Sequence, residues 1–88
     1  MRIEKSDVVI PLNGRDEGKY FLVIEADAEY SLLADGKGRK VDKPKRKKNK
    51  HIKPDGKINE IIAKKLDAGQ KLTNNEIRKA LGEYYAKR

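Results

Sequence analysis

Apolar residues in this chain recur first at strand spacing and then at helix spacing. Val8-Val9-Ile10-Pro11 is a short apolar segment, and Asn13-Gly14-Arg15-Asp16-Glu17-Gly18 behind it is dense in turn formers, so a strand runs into a loop. Tyr20-Phe21-Leu22-Val23-Ile24 is rich in aromatic and β-branched residues, Asp27-Ala28 marks a turn, and Tyr30-Ser31-Leu32-Leu33-Ala34 returns as the second arm of a hairpin. Asp35-Gly36 is a favoured tight-turn dipeptide. After it, Lys37 to Val41 has the polar composition of an edge strand, and the following basic run loops to His51-Ile52-Lys53 as a closing strand. About five short strands in some fifty residues predict a small barrel, because closure removes the edges an open sheet exposes.

The Tyr20–Ile24 strand carries apolar side chains on both faces, Phe21 and Val23 on one, Tyr20, Leu22 and Ile24 on the other. A barrel interior uses one face only, so the other needs a cover. Ile58, Ile61, Ile62 and Leu66 recur at helical spacing, with Asp55 as the expected N-cap and Gly69 as the expected stop. Thr73-Asn74-Asn75-Glu76 has the capping-box pattern, with Leu72 and Ile77 placed as a hydrophobic staple, and Ile77, Ala80, Leu81 and Tyr84 continue one apolar face. The pattern predicts a mostly β chain with an α appendage. Residues 1–54 form the barrel and 55–88 two antiparallel helices, packed on its outside or on a partner.

With 88 residues, 36% of them apolar, the core must be modest, and the absence of cysteine removes disulfides and thiolate-ligated zinc as staples. The longest apolar run, Tyr20 to Ile24, is too short to span a bilayer, and the first residues lack the apolar stretch of a signal peptide, so a cytoplasmic protein is expected. Charge changes the picture more. Residues 36–57 hold 11 Lys/Arg against 2 acids, whereas residues 1–35 hold 4 against 8. The formal net charge of +8 is therefore concentrated in one segment, densest in Lys43 to Lys53. A run like this repels itself until an anion neutralises it, which points to phosphate and makes nucleic acid the leading partner.

Gly14-Arg15-Asp16-Glu17-Gly18-Lys19, between a V-V-I strand and a Y-F-L-V-I strand, resembles the KOW motif, in which a loop of glycines and basic residues joins the first two strands of an SH3-like barrel. The later A-D-G-K-G-R-K stretch and N-K-H-I-K-P at 49–54 resemble the small KOW proteins related to large-subunit ribosomal proteins of archaea and eukaryotes. The helical tail, with L-T-N-N-E-I-R-K-A-L at 72–81, is similar to that of small bacterial KOW-domain RNA-binding proteins. The resemblance implies a five-stranded SH3-like barrel with a C-terminal helical hairpin that binds RNA, ribosomal RNA above all, in translation or ribosome biogenesis. The acidic Asp16-Glu17 pair departs from the motif, which leaves Arg15 and Lys19 as the loop's contacts. With Lys37, Arg39, Lys40, Lys45, Arg46, Lys47, Lys48, Lys50, His51 and Lys53 they make the expected RNA-binding set, whose cations position the RNA rather than read its sequence.

The remaining chemistry is thin. His51 is the only histidine, so neither a metal site nor a nucleophile constellation is expected. Asp16, Glu17, Asp27 and Glu29 lie in expected turns with no pocket to shift their pKa values. No Walker or dinucleotide fingerprint is present. A non-enzymatic protein without cofactor or small-molecule substrate is expected. Phe21 is assigned to the core, and no tyrosine is assigned as a base platform. Two alternatives remain open: a module contacting proteins of a transcription or translation complex through the tail's apolar stripe, and non-specific duplex DNA binding through the same basic segment.

Overall fold

The computed structural model describes residues 2–14 and 18–87. Among them, strands β1 (Asp7–Pro11), β2 (Phe21–Ala26), β3 (Tyr30–Ala34), β4 (Lys45–Lys48) and β5 (Ile52–Lys57) form one antiparallel sheet in the order β4-β3-β2-β1-β5. Helices α1 (Glu60–Asp67) and α2 (Asn74–Ala86) follow. The two edge strands are consecutive in the chain, joined by a 3-10 turn at Asn49–His51. In a flat sheet, strands about 4.8 Å apart would put the first and fifth roughly 19 Å from each other. Three residues of 3-10 turn rise only about 2 Å each. The open sheet therefore curves at the end where this turn joins its two edge strands.

Period-2 alternation sorts the apolar side chains onto both faces. Val8, Leu22 and Ala34 are register partners across β1, β2 and β3, and this row seats the helices through Ile58, Ile62, Leu66, Leu72, Ile77, Ala80 and Leu81. Val9, Phe21, Val23 and Leu33 face the other way and close a second cluster with Ile3 and Ile52. The helical tail is thus a cover for the sheet.

Helix ends follow local chemistry. Asn59 caps α1, its side chain accepting from the Ile62 N–H at 2.9 Å, and Gly69, at φ +75°, ends it in a Schellman turn with Gly69 N–H bonded to Leu66 and Gln70 N–H to Lys65. At α2 the capping box is complete: Thr73 Oγ1 accepts from Glu76 N–H at 3.1 Å and Glu76 Oε1 from Thr73 N–H at 2.9 Å. The staple residues Leu72 and Ile77 are buried together.

Three expectations on the strands and caps are corrected. Lys37 to Val41 is not a strand, because the Asp35 carboxylate accepts from the Lys37 and Arg39 N–H groups and closes a compact loop. The fourth strand is instead the basic run itself, Lys45–Lys48, paired with Tyr30–Leu33. His51 belongs to the 3-10 turn, and β5 runs from Ile52 to Lys57, taking in Asp55, which therefore cannot cap α1. Pro54 and Gly56 fit in this strand because β5 is an edge and the register shifts at Val8/Val9, leaving Asp55 as the extra residue.

The 35–44 loop is bound to α2. Arg78 donates to the Gly36 carbonyl at 2.6 Å, and the Asn74 side chain accepts from Val41 N–H at 2.7 Å. Gly36 has φ +80°, and a Cβ there would lie 2.5 Å from the Asn74 carbonyl oxygen. Gly36→Ala should therefore cost about 2 kcal/mol or more, from left-handed backbone strain and a clash with helix backbone. Gly38→Ala, with nothing within 4 Å, should be close to neutral. Urea denaturation of the two variants checks the contrast.

Candidate nucleic-acid interface

β4 is a strand of four consecutive cations, and it holds its place through neighbours rather than its own propensity. Asn49 clamps its end: its N–H donates to the Glu29 carbonyl, its side-chain amide to the Asp27 carbonyl at 2.9 Å, and its Oδ1 accepts from the Ser31 hydroxyl at 2.5 Å. Arg46 lies 3.7 Å over the Tyr30 ring, a cation–π contact between diagonal neighbours on β4 and β3. The turn below is set by Asp27, whose carboxylate accepts from the Tyr30 and Glu29 N–H groups at 2.7 and 2.8 Å. Those two bonds hold its pKa below the ordinary carboxylate value, with the nearby Arg46 charge adding to the effect.

Both acids of the basic segment have partners of their own. Of the two acids in the basic segment, Asp42 pairs with Lys71 at 3.6 Å and Asp55 accepts from the Tyr84 hydroxyl at 2.5 Å. Lys57 is withdrawn from the patch. It bonds Asp7 at 2.8 Å and lies 3.4 Å from Glu4, and the Asp7 carboxylate raises its pKa above the usual lysine value. Among the described residues, Lys37, Arg39, Lys40, Lys47, Lys48, Lys50 and Lys53 form no ion pair.

Of the expected set, Lys37, Arg39 and Lys40 are exposed on the 35–44 loop, Arg46 and Lys48 are exposed on β4, and Lys45 and Lys47 are half-buried there. Lys50 is exposed on the 3-10 turn and Lys53 on β5. His51 is half-buried, and its carbonyl accepts from Leu12 N–H, a backbone role. Arg15 lies outside the described residues. The first loop does approach the basic strand, since Lys47 Nζ lies 4.0 Å from where a Gly14 side chain would begin.

Lys19, Lys37, Arg39 and Lys45 come together around a cleft of about 760 Å³ between the 35–39 loop and α2. Sequence reasoning did not anticipate what α2 adds to it: Arg78 and Tyr85, with Tyr20 from the start of β2. The signal was available, because Arg78, Leu81, Gly82 and Tyr85 are spaced as one helical stripe. Tyr85 meets Tyr20 edge-on at 4.6 Å, and its hydroxyl accepts from Tyr20 N–H.

In the first turn of α2, Glu76 lies against the Lys65 ammonium, which with the Thr73 N–H holds its carboxyl below the ordinary value. A lowered native pKa gives stability that is present above the unfolded value, about 4, and lost as pH falls through the native one. Thermal stability should therefore drop on acidification below about pH 4 as Asp27 and Glu76 protonate, and Glu76→Gln should remove part of that drop. Melting curves between pH 2 and 7 test this.

No described helix is long and apolar enough to cross a membrane, and no cluster of three His, Cys, Asp or Glu side chains suited to a metal ion occurs among the described residues. No protein-family model matches the chain, and no curated protein matches it.

Proposed function

We propose that this chain is a KOW-type RNA-binding protein of the cytoplasm that docks a basic face on structured RNA, ribosomal RNA in particular, in translation or ribosome biogenesis. Binding rather than catalysis is its activity. The carrying observation is β4: four cations in one strand, continued by Lys50 and flanked by Lys37, Arg39 and Lys40, with Asp42 paired to Lys71. A guarded edge strand commonly carries a charged side chain such as lysine against unwanted pairing. A positive excess of this size on one edge is what phosphate contact by counterion release requires. RNA is favoured over DNA by the family resemblance and by docking geometry. A-form helices are recognised by shape and backbone contacts, and a curved strand edge bearing cations supplies those without entering a groove. The strand order, with consecutive strands at the two edges, supports an SH3-like barrel, and the packing of the tail's apolar stripe against the sheet, all but Ile61, which is 71% exposed, weakens the protein-module alternative.

The test is direct competition. A labelled ribosomal RNA fragment bound to the protein at about 0.1 M salt should be displaced by unlabelled structured RNA at far lower concentration than by duplex DNA of equal length. Equal displacement by DNA would replace this reading with non-specific duplex binding.

A further inference from the structure

The cleft at α2 combines features that duplex docking does not use. We propose that it takes one unpaired nucleotide of the bound RNA, with the base laid against Tyr85 and the phosphate held by Arg39 and Lys37. This rests on the RNA-binding reading and extends it from a structured segment to the single strand leaving it. Among the described residues, five cations and one acid line the cleft, and that acid, Asp35, turns its carboxylate onto the N–H groups of its own loop. An edge-to-face contact covers at most one face of a ring, and Tyr85 remains 48% exposed beside Tyr20. An aromatic face next to clustered cations is the combination that binds single-stranded nucleic acid, stacking for the base and charge for the backbone.

Gly82 is a second, independent observation. A glycine inside a helix costs stability relative to alanine, about 1 kcal/mol. Here it lies on the cleft wall, and a Cβ would meet nothing within 4 Å. Packing does not require it, and the missing side chain leaves this wall of the cleft open. The volume of about 760 Å³ lies in the range of small-molecule sites. Lys45 lines the cleft and also begins β4, so a strand crossing the basic edge runs directly into it, which assigns the occupant to the RNA rather than to a free nucleotide.

The experiment compares the full chain binding a blunt RNA duplex with binding the same duplex bearing a short 3′ overhang that contains 2-aminopurine. The overhang should raise affinity about tenfold through stacking of one base, with quenching of the 2-aminopurine emission. Tyr85→Phe should keep both effects. Tyr85→Leu, and Gly82→Leu, which fills the cleft while favouring helix, should lose both and leave blunt-duplex affinity unchanged. An overhang that adds nothing while the duplex still binds, or a gain that survives in both leucine variants, overturns the cleft assignment alone. Absence of any RNA binding by the unaltered chain overturns the RNA reading and the cleft with it.

Discussion

A chain ending at Lys57 will not fold cooperatively. It retains all five strands, yet Val8, Leu22 and Ala34 lose the side chains that cover them, namely Ile58, Ile62, Leu66, Leu72, Ile77, Ala80 and Leu81. Burying one large aliphatic side chain contributes about 1.5–3 kcal/mol, and a small domain has only about 5–15 kcal/mol in total. Removing six large ones, about 9–18 kcal/mol of burial, is comparable with that whole reserve. Circular dichroism should show no sigmoidal melt, and amide resonances should collapse into the unfolded range. A graded version gives the same answer: Ile77→Ala, at a fully buried position, should cost about 2–5 kcal/mol. A truncated chain with dispersed resonances and a sharp melt would mean that the helices are an appendage, and the protein-module reading would regain its footing.

The second large effect concerns binding. Among the described residues, Lys40, Lys47, Lys48 and Lys50 form no ion pair, so replacing all four with glutamine should leave the melting temperature nearly unchanged. Taking one cation off a phosphate lowers the slope of log affinity against log salt by about 0.7–0.9. The quadruple variant should therefore show a slope shallower by about 3 and an affinity for structured RNA down by about 100- to 1000-fold near 0.1 M salt. Filter-binding or anisotropy titrations at several salt concentrations read both quantities. An unchanged slope would remove β4 and its turn from the interface.

Much of this architecture was legible in the sequence because local chemistry and tertiary packing agree. Tyr30–Ala34 is the third strand, the Thr73 to Glu76 capping box opens α2, and two-faced hydrophobicity around Phe21 and Leu22 required a helical cover that the structure supplies. What escaped was set by partners distant in sequence. Lys45–Lys48 has neither strand propensity nor alternation, and becomes a strand because β3 offers a pairing edge and Asn49 anchors its end. Pro54-Asp55-Gly56 has turn composition, yet pairing with β1 carries it through as a bulged edge. Gly56 also yields room for Tyr84, whose hydroxyl occupies the space a side chain there would need. The charge segregation identified the candidate face, but not its sorting: Lys57 is neutralised by Asp7, while Lys19, Lys37, Arg39 and Lys45 converge with Arg78 on one cleft.

The central claim is that the edge built from β4, its turn and the 35–44 loop lies on RNA in the cell. Ultraviolet crosslinking in cells of the source, with sequencing of the bound RNA and peptide mapping of the crosslinked residues, tests it most directly. Crosslinks gathered on one ribosomal RNA site and mapping to residues 37–53 are the predicted result. Scattered RNA at background level, or crosslinks confined to α1 and the acidic first third of the chain, would contradict it.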